Sequence, residues 1–152
     1  MESVCGQEEM CLLRKPNNHL DAIFLQIIGW VPEVYDNIDE LPADMPEDLK
    51  EYIRIRTHNN GGKTPKFVWM SCRGKNPADE KYIGEIVYKP WQGFPAYYFP
   101  YMNTPGYLPP IVVVRFVAPT FNVVIQVECK VYAKNIKHKR QEGLGLLIYQ
   151  KL

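Results

Sequence analysis

The sequence predicts a single α+β domain, built on a largely antiparallel sheet of about six strands with one main helix near residues 46–57. The length of 152 residues fits one domain. Runs rich in β-branched and aromatic residues have the length of strands. From the second run onward, no helix-length segment separates them, which favours antiparallel neighbours. Residues 1–19 are polar and non-periodic, so we expect a flexible N-terminal arm before a globular domain at 20–152.

The first predicted strand is the nearly continuous apolar run at 22–31. A helix is expected after it, because residues 44–47 (Asp-Met-Pro-Glu) combine an acidic cap, a proline in the first turn and a glutamate three residues on. Leu49 and Ile53 follow at helical spacing. Residues 59–62 (Asn-Asn-Gly-Gly) end the helix, since Asn and Gly accept positive φ at little cost.

Five further strands are predicted, at residues 66–72, 82–88, 111–117, 121–134 and 144–149. The stretch 121–134 has the clearest pattern, because Val127 and Val131 alternate with Glu128 and Lys130. Such alternation indicates a strand with one buried face and one mostly wet face. The last two strands are expected to form a hairpin through a charged connection.

The sequence carries no recognisable catalytic or metal-binding motif. Its three histidines, His19, His58 and His138, lie far apart, and none pairs with a cysteine at zinc spacing. We therefore predict a protein that is not an enzyme and has no cofactor, metal or small-molecule substrate. A Cys–His nucleophile pair that meets only in space stays open as an alternative.

The four cysteines are predicted to be reduced thiols, because no secretory signal precedes them. They are Cys5, Cys11, Cys72 and Cys129. No apolar run reaches the length of about 18 residues typical of a membrane span. These features predict an intracellular protein that is neither secreted nor membrane-spanning.

Charge is unevenly distributed along the chain. Residues 1–60 hold 12 acidic and 5 basic side chains, a balance of −7, whereas residues 61–152 hold 5 acidic and 13 basic, a balance of +8. An acidic first part and a basic second part favour self-association and attraction to phosphate-bearing surfaces. The alternative is that most of these charges are solvated.

A segment rich in proline and aromatic residues, 88–110, is the first candidate interaction site. Its prolines fall at every fifth residue from Pro90 to Pro110, so we expect an extended loop. Aromatic side chains supply large contact areas. The predicted protein-interaction residues are Trp91, Phe94, Tyr97, Tyr98, Tyr101 and Tyr107. The alternative is that the loop folds back and buries its rings in the sheet.

A basic connection before the last strand is the second candidate site. Clustered positive charge at a hairpin tip can contact nucleic-acid phosphates or anionic lipid headgroups. The predicted membrane- or nucleic-acid-binding residues are Lys130, Lys134, Lys137, His138, Lys139 and Arg140. A solvated hairpin tip is the alternative.

The order of elements resembles the matrix proteins of rhabdoviruses. The strand at 22–31, the helix at 46–56 and the strand at 66–72 resemble the first half of that family's domain. Residues 106–110 (Gly-Tyr-Leu-Pro-Pro) and 118–122 (Ala-Pro-Thr-Phe-Asn), leading into the alternating strand, resemble the second. The short length suits the plant-infecting branch. The Pro-Pro-x-Tyr budding motif and the basic N-terminal arm of many animal-virus members are missing here.

This resemblance implies a viral matrix protein, found in the virion and in the host cytoplasm or nucleus. Such a structural protein self-associates and bridges the nucleocapsid and an anionic membrane surface. The alternative hypothesis is a nucleic-acid-binding viral accessory module. In that case the basic tip at 134–140 follows RNA phosphates, and the rings of the 88–110 loop stack on bases.

Overall fold

The computed structural model of the protein describes residues 2–5, 10–14, 19–136, 138 and 145–151. These residues form nine strands in two antiparallel sheets. Sheet 1 has the strand order β1-β2-β3-β7-β5, with β1 (Glu2–Cys5), β2 (Met10–Arg14), β3 (Leu20–Leu25), β7 (Ile111–Val117) and β5 (Glu85–Lys89). Sheet 2 has the order β6-β4-β8-β9, with β6 (Gly93–Pro95), β4 (Phe67–Gly74), β8 (Ile125–Tyr132) and β9 (Leu146–Lys151).

The main hydrophobic core lies between the facing sides of the two sheets. Alternate residues of β3 and β7 point inward from sheet 1, including the paired residues Ile23 and Val112. Met70 of β4 and Val131 of β8, also paired, join the same core from sheet 2. All four side chains are fully buried. Burying a side chain of this size contributes about 1.5–3 kcal/mol, so the sandwich rests mainly on this layer.

Helix α1 (Glu47–Asn59) covers the other face of sheet 2 and confirms the predicted helix. Its acidic first turn and basic last turn suit the helix dipole. Leu49 and Ile53 are fully buried against a second core that includes Trp69 and Tyr132. The prediction of a mostly wet face on the 121–134 strand is therefore wrong, because α1 and the chain before it cover that face and bury Tyr132.

Helix α2 (Pro77–Ile83) occupies a segment that the sequence analysis divided between a turn and a strand. The Asn76 side chain accepts a hydrogen bond from the Asp79 N–H and so caps the helix. The helix lies directly on β4, since a Cβ at Gly74 would approach the Glu80 nitrogen to 2.2 Å. Within the described part of the chain, neither α-helix is long and apolar enough to cross a membrane.

The stretch predicted as a flexible arm contains two strands. β2 pairs with β3, and Met10 and Leu12 are buried in the main core. Only two residues of β2, Met10 and Leu12, show the alternate burial of a strand. Polar residues flank them in the sequence, so the alternation is too short to be recognised there. The predicted strand at 22–31 ends earlier, at Leu25, and continues as a loop.

The predicted antiparallel pairing is confirmed, but the strands form two sheets where the sequence analysis expected one. The strand at 111–117 coincides with β7, and β8 and β9 pair as the predicted hairpin. The count of six strands was too low because β1, β2 and the three-residue β6 were not recognised. A second helix, α2, was missed as well.

The cysteines are not reduced thiols, and this prediction is wrong. Cys72 of β4 and Cys129 of β8 lie opposite one another and form a disulfide, with a Cα–Cα distance of 4.0 Å. Cys11 is also disulfide-bonded. Disulfides persist in oxidising compartments and are rare in the cytosol and nucleus, so they argue against an intracellular location.

Two polar contacts connect the sheets across the core. Asp21 of β3 is fully buried, and its carboxylate accepts hydrogen bonds from the Tyr149 hydroxyl at 2.8 Å and from Lys151 Nζ at 3.1 Å, both from β9. The hydroxyl of Tyr88 on β5 accepts a hydrogen bond from the Cys72 N–H of β4 at 2.7 Å. Buried polar groups of this kind fix how one sheet is placed on the other.

Candidate functional surface

The candidate interaction segment is centred on residues 96–108, hereafter the aromatic loop, which leaves β6 through a turn of 3-10 helix at Ala96–Tyr98. The Phe99 N–H donates to the Ala96 carbonyl at 3.1 Å and closes this turn. The loop returns to sheet 1 at β7. It therefore joins the two sheets and lies at their margin.

Buried rings anchor the aromatic loop to the domain. Phe99 and Tyr101 are 9% and 5% exposed, and the Trp30 ring meets the Phe99 ring edge-on at 5.4 Å. Ile28 forms a parallel bridge with Tyr101, and the Gly29 N–H donates to the Tyr101 carbonyl at 2.9 Å. These contacts hold the loop against the segment that follows β3.

A second set of large apolar side chains points away from the core. They form the outer aromatic-loop surface, which consists of Ile28, Tyr97, Tyr98, Met102, Tyr107 and Leu108, each at least 37% exposed. The rings of Tyr97 and Tyr98 lie 4.6 Å apart, and the Tyr107 hydroxyl donates to the Tyr98 carbonyl at 2.8 Å. Large contiguous patches of exposed apolar residues on a folded protein typically mark interaction sites.

The structure divides the six predicted interaction residues into two groups. Phe94 and Tyr101 are buried, and Trp91 packs edge-on against Phe67 at 5.6 Å, so these three support the fold. Tyr97, Tyr98 and Tyr107 are exposed. The alternative of buried rings therefore applies to the first group, and an interaction role for the exposed tyrosines stays a prediction. Sequence reasoning missed Ile28, Met102 and Leu108, because nothing in an isolated apolar residue shows that the fold will leave it exposed.

The predicted basic site is not a cluster of unpaired cations in the described part of the chain. Lys130 Nζ lies 3.5 Å from a Glu128 carboxylate oxygen. Lys134 Nζ lies 3.2 Å from Glu40 and 3.8 Å from Asp36. His138 meets the ring of Tyr132 edge-on at 4.8 Å. The remaining members, Lys137, Lys139 and Arg140, lie outside the described residues.

The pairing of Lys134 has a local electrostatic consequence. Hydrogen bonds from the Asp36 N–H and from Lys134 hold the pKa of the Glu40 carboxyl below its usual value. The same carboxylate accepts from the Asn37 N–H and closes a short turn at Ile38–Glu40. Lys134 is therefore part of a link between β8 and the chain before α1.

No metal centre forms from the described side chains. Among residues 10–14, 19–136, 138 and 145–151, no group of three or more His, Cys, Asp or Glu residues could hold a metal ion. The open alternative of a Cys–His pair loses Cys72 and Cys129, because a disulfide sulfur is not a nucleophilic thiolate.

Comparison with known proteins identifies the family. The family model described as "Sodium / potassium ATPase beta chain" matches residues 11–148, which is most of the chain. The chain belongs to the sodium/potassium ATPase beta-chain family.

Relatives from Drosophila melanogaster and Caenorhabditis briggsae illustrate the similarity. The chain is 44% identical over 134 residues to sodium/potassium-transporting ATPase subunit beta-2 of Drosophila melanogaster, covering 86% of this chain and 41% of the fly protein. It is 45% identical over 122 residues to subunit beta-1 of the same species, covering 77% and 37%. Identity to probable subunit beta-3 of Caenorhabditis briggsae is 30% over 146 residues, covering 96% and 40%. The chain thus spans about two fifths of these relatives.

Family membership corrects several predictions. The resemblance to rhabdovirus matrix proteins was wrong, and so were the matrix and nucleic-acid-binding functions drawn from it. The predicted partners (a second copy, nucleocapsid protein, RNA and an anionic membrane surface) and the location in virion, host cytoplasm or nucleus fall with it. The prediction that the chain is not itself an enzyme is confirmed, because ATPase beta chains are non-catalytic subunits.

Proposed function

We propose that this chain is the folded interaction domain of a non-catalytic beta subunit, and that it docks on the transporting subunit of a sodium/potassium ATPase. The outer aromatic-loop surface is the proposed contact. The observation that carries the proposal is the exposure of five large apolar side chains on a loop that the fold holds in place, together with Ile28 of the adjoining segment. The names of the relatives, which are subunits of such an ATPase, supply the class of partner.

The composition of the aromatic loop and of the residues that flank it supports an interface. Residues 90–110 contain no Asp, Glu, Lys or Arg, although nearly a quarter of the whole chain is charged. The centres of protein interfaces are depleted in charge and enriched in Tyr, Trp, Phe and Met. The loop is also anchored by buried rings, so little conformational entropy would be lost when a partner orders it.

The disulfides support a position on the outer side of the membrane. Cys72, Cys129 and Cys11 are disulfide-bonded, and such bonds persist outside the cytosol. A beta subunit placed there would meet those parts of its partner that also face outward. The partner should therefore present a complementary apolar patch on its outward-facing surface.

Paired substitutions test the proposed contact. Tyr97 is 72% exposed and lies on the outer aromatic-loop surface, whereas Phe121 is 71% exposed and lies outside it. Truncation of an aromatic anchor at an interface commonly costs about 2 kcal/mol or more. Tyr97→Ala combined with Leu108→Ala should therefore lower the amount of catalytic subunit that copurifies with the co-expressed chain about tenfold or more.

The matched control is Phe121→Ala, which removes an equally exposed ring and should leave copurification within about twofold of wild type. Thermal unfolding of each variant separates loss of contact from loss of fold. If the Tyr97 and Leu108 variant copurifies like wild type while the partner is present in excess, the assignment of this surface is wrong.

A further inference from the structure

A cavity of about 360 Å³ lies between the chain before α1 and the end of β8. Its walls include Tyr35 and Asp44 on one side and Tyr132, Lys134 and His138 on the other. None of these residues belongs to the outer aromatic-loop surface. The volume lies near the lower end of the range for small-molecule sites, so it suits a short side chain or a ligand of a few heavy atoms.

Two nearly buried tyrosines contribute hydroxyl groups without protein partners. Tyr35 is 6% exposed and Tyr132 is 3% exposed, yet neither hydroxyl forms a hydrogen bond within the described part of the chain. Polar atoms of buried side chains are usually paired. Two phenol oxygens without a partner among the described residues, both beside one cavity, therefore indicate a site where a ligand can donate hydrogen bonds to them.

Asp44 is the acidic residue among the described residues of the cavity wall. Asp44 forms no ion pair within the described residues, and its charge reaches both tyrosines, since it raises the pKa of each beyond the effect of burial. Lys134 also lines the cavity, but its ammonium lies within 4.0 Å of two carboxylates, those of Glu40 and Asp36. These two carboxylates compensate the charge of Lys134, so the Asp44 carboxylate favours a cation over an anion in the cavity.

His138 closes the side of the cavity next to Tyr132. Its Nε2 contacts the Val131 carbonyl oxygen, which can only accept, so Nε2 carries a hydrogen and donates. The ring meets Tyr132 edge-on. The histidine therefore holds the Tyr132 ring in place, and its Nε2 hydrogen is already used.

We propose that this cavity binds a primary alkylammonium group. Such a group has three N–H donors. The cavity wall offers three acceptor groups that have no partner among the described residues: the Asp44 carboxylate and the hydroxyl oxygens of Tyr35 and Tyr132. The carboxylate supplies the opposite charge, and the aromatic rings add a cation–π contribution. A neutral alcohol lacks the charge, and a carboxylate would be repelled. The ammonium comes from a free amine or from a lysine side chain of a partner, which share this chemistry.

Titration with n-butylammonium chloride tests the proposal, followed by amide chemical shifts or by calorimetry on the whole chain. We expect saturable binding that 1-butanol and sodium butyrate do not reproduce. Asp44→Asn should weaken binding about tenfold or more, because it removes the opposite charge from a partly enclosed site. Tyr35→Phe combined with Tyr132→Phe removes two acceptors and should weaken binding to a similar extent.

The matched control is Asp39→Asn, which removes an exposed carboxylate from the same acidic segment but not from the cavity wall. It should change affinity no more than about twofold. Equal effects of Asp39→Asn and Asp44→Asn would show that general charge attraction, and not the cavity, holds the ammonium. Equal binding of 1-butanol would overturn the proposal too.

A second pair of ligands separates the two sources of the ammonium. Nα-acetyl-lysine amide carries the side chain on a peptide-like backbone, and its Nε-acetylated form lacks the charge. Binding of the first but not the second supports a lysine side chain as the ligand. Binding of n-butylammonium alone supports a free amine. Absence of binding by both charged ligands refutes the site.

Discussion

The buried carboxylate of Asp21 connects the two sheets through hydrogen bonds. It lies on sheet 1, is completely buried, and receives hydrogen bonds from Tyr149 and Lys151 of sheet 2. The Lys151 ammonium also lies 4.7 Å from the centre of the Phe116 ring. Removing one partner from a buried ion pair leaves the other charge without compensation in a low-dielectric interior.

Asp21→Asn keeps the shape of the side chain but removes its charge. We expect the free energy of unfolding, measured by urea denaturation, to fall by about 3–5 kcal/mol because Lys151 remains buried and charged. Adding Lys151→Met should restore part of the loss. The exposed Asp39→Asn should stay within about 0.5 kcal/mol of wild type. A loss from Asp21→Asn no larger than that of Asp39→Asn would contradict this account.

Tyr35 and Tyr132 give a pH-dependent prediction. Burial, and then the charge of Asp44, raises the pKa of each from 10.0 to about 12. Because these pKa values are raised in the folded state, the stabilisation by neutral phenols is complete below pH 10.0 and is lost as the pH rises toward about 12. Urea denaturation across this range should show falling stability.

Tyr35→Phe combined with Tyr132→Phe should make that alkaline loss shallower, since neither ring can then ionise. Ultraviolet absorbance of tyrosinate should show that the wild type has two more tyrosines with a raised pKa than the variant. Tyr107→Phe, a substitution of an exposed tyrosine on the aromatic loop, should leave the slope unchanged. Identical slopes in wild type and the double variant would refute the assignment.

At the scale of elements, the sequence predicts best where local pattern and tertiary contact agree. β7 and α1 have clear periodicity and are found close to their predicted positions. α2 was missed because Asn76-Pro77 is a signal for both a turn and a helix start. β2 was missed because its identity as a strand depends on pairing with β3, which no local pattern contains.

The disulfide between β4 and β8 is expected to stabilise the pairing at the centre of sheet 2. Its cysteines are 57 residues apart, and closing a loop of that size in the unfolded chain corresponds to about 4 kcal/mol in the chain-entropy account. Cys72→Ala combined with Cys129→Ala should lower the free energy of unfolding by an amount of this order, measured without reductant.

Reduction of the wild type should lower stability at least as far, because Cys11 is disulfide-bonded as well. Cys72→Ala alone leaves a free Cys129 and should lose the same cross-link, so it serves as a check on side reactions of the double variant. Stability that is unchanged in the double variant would mean that sheet packing alone fixes β4 against β8.

For the whole molecule, part of the charge asymmetry of the sequence is paired within the fold. Acidic residues of the first part pair with basic residues of the second, as in Asp21 with Lys151 and Glu40 with Lys134. These ion pairs therefore connect the first part of the chain to sheet 2 and to the residues that follow β8. The sequence alone could not distinguish this from contact between molecules, because charge balance gives no partner positions.

The candidate surface was predictable only in part for a similar reason. Composition identified the 88–110 segment as a set of large rings that must be either buried or used in contact. The fold decides which rings do which, since Trp30 and Ile28 come from a distant part of the chain to anchor Phe99 and Tyr101. Exposed Tyr97 and buried Tyr101 have the same residue type and similar neighbours in the sequence.

The Cys72–Cys129 bond encloses the whole aromatic loop within one covalent ring. A protease that cuts the chain once at an exposed position such as Met102 or Leu108 would leave both fragments joined. The nicked protein would migrate as one band on a gel without reductant and as two bands with it. Separation of the two fragments would therefore require reduction of this bond as well as cleavage, and an oxidising environment opposes the reduction.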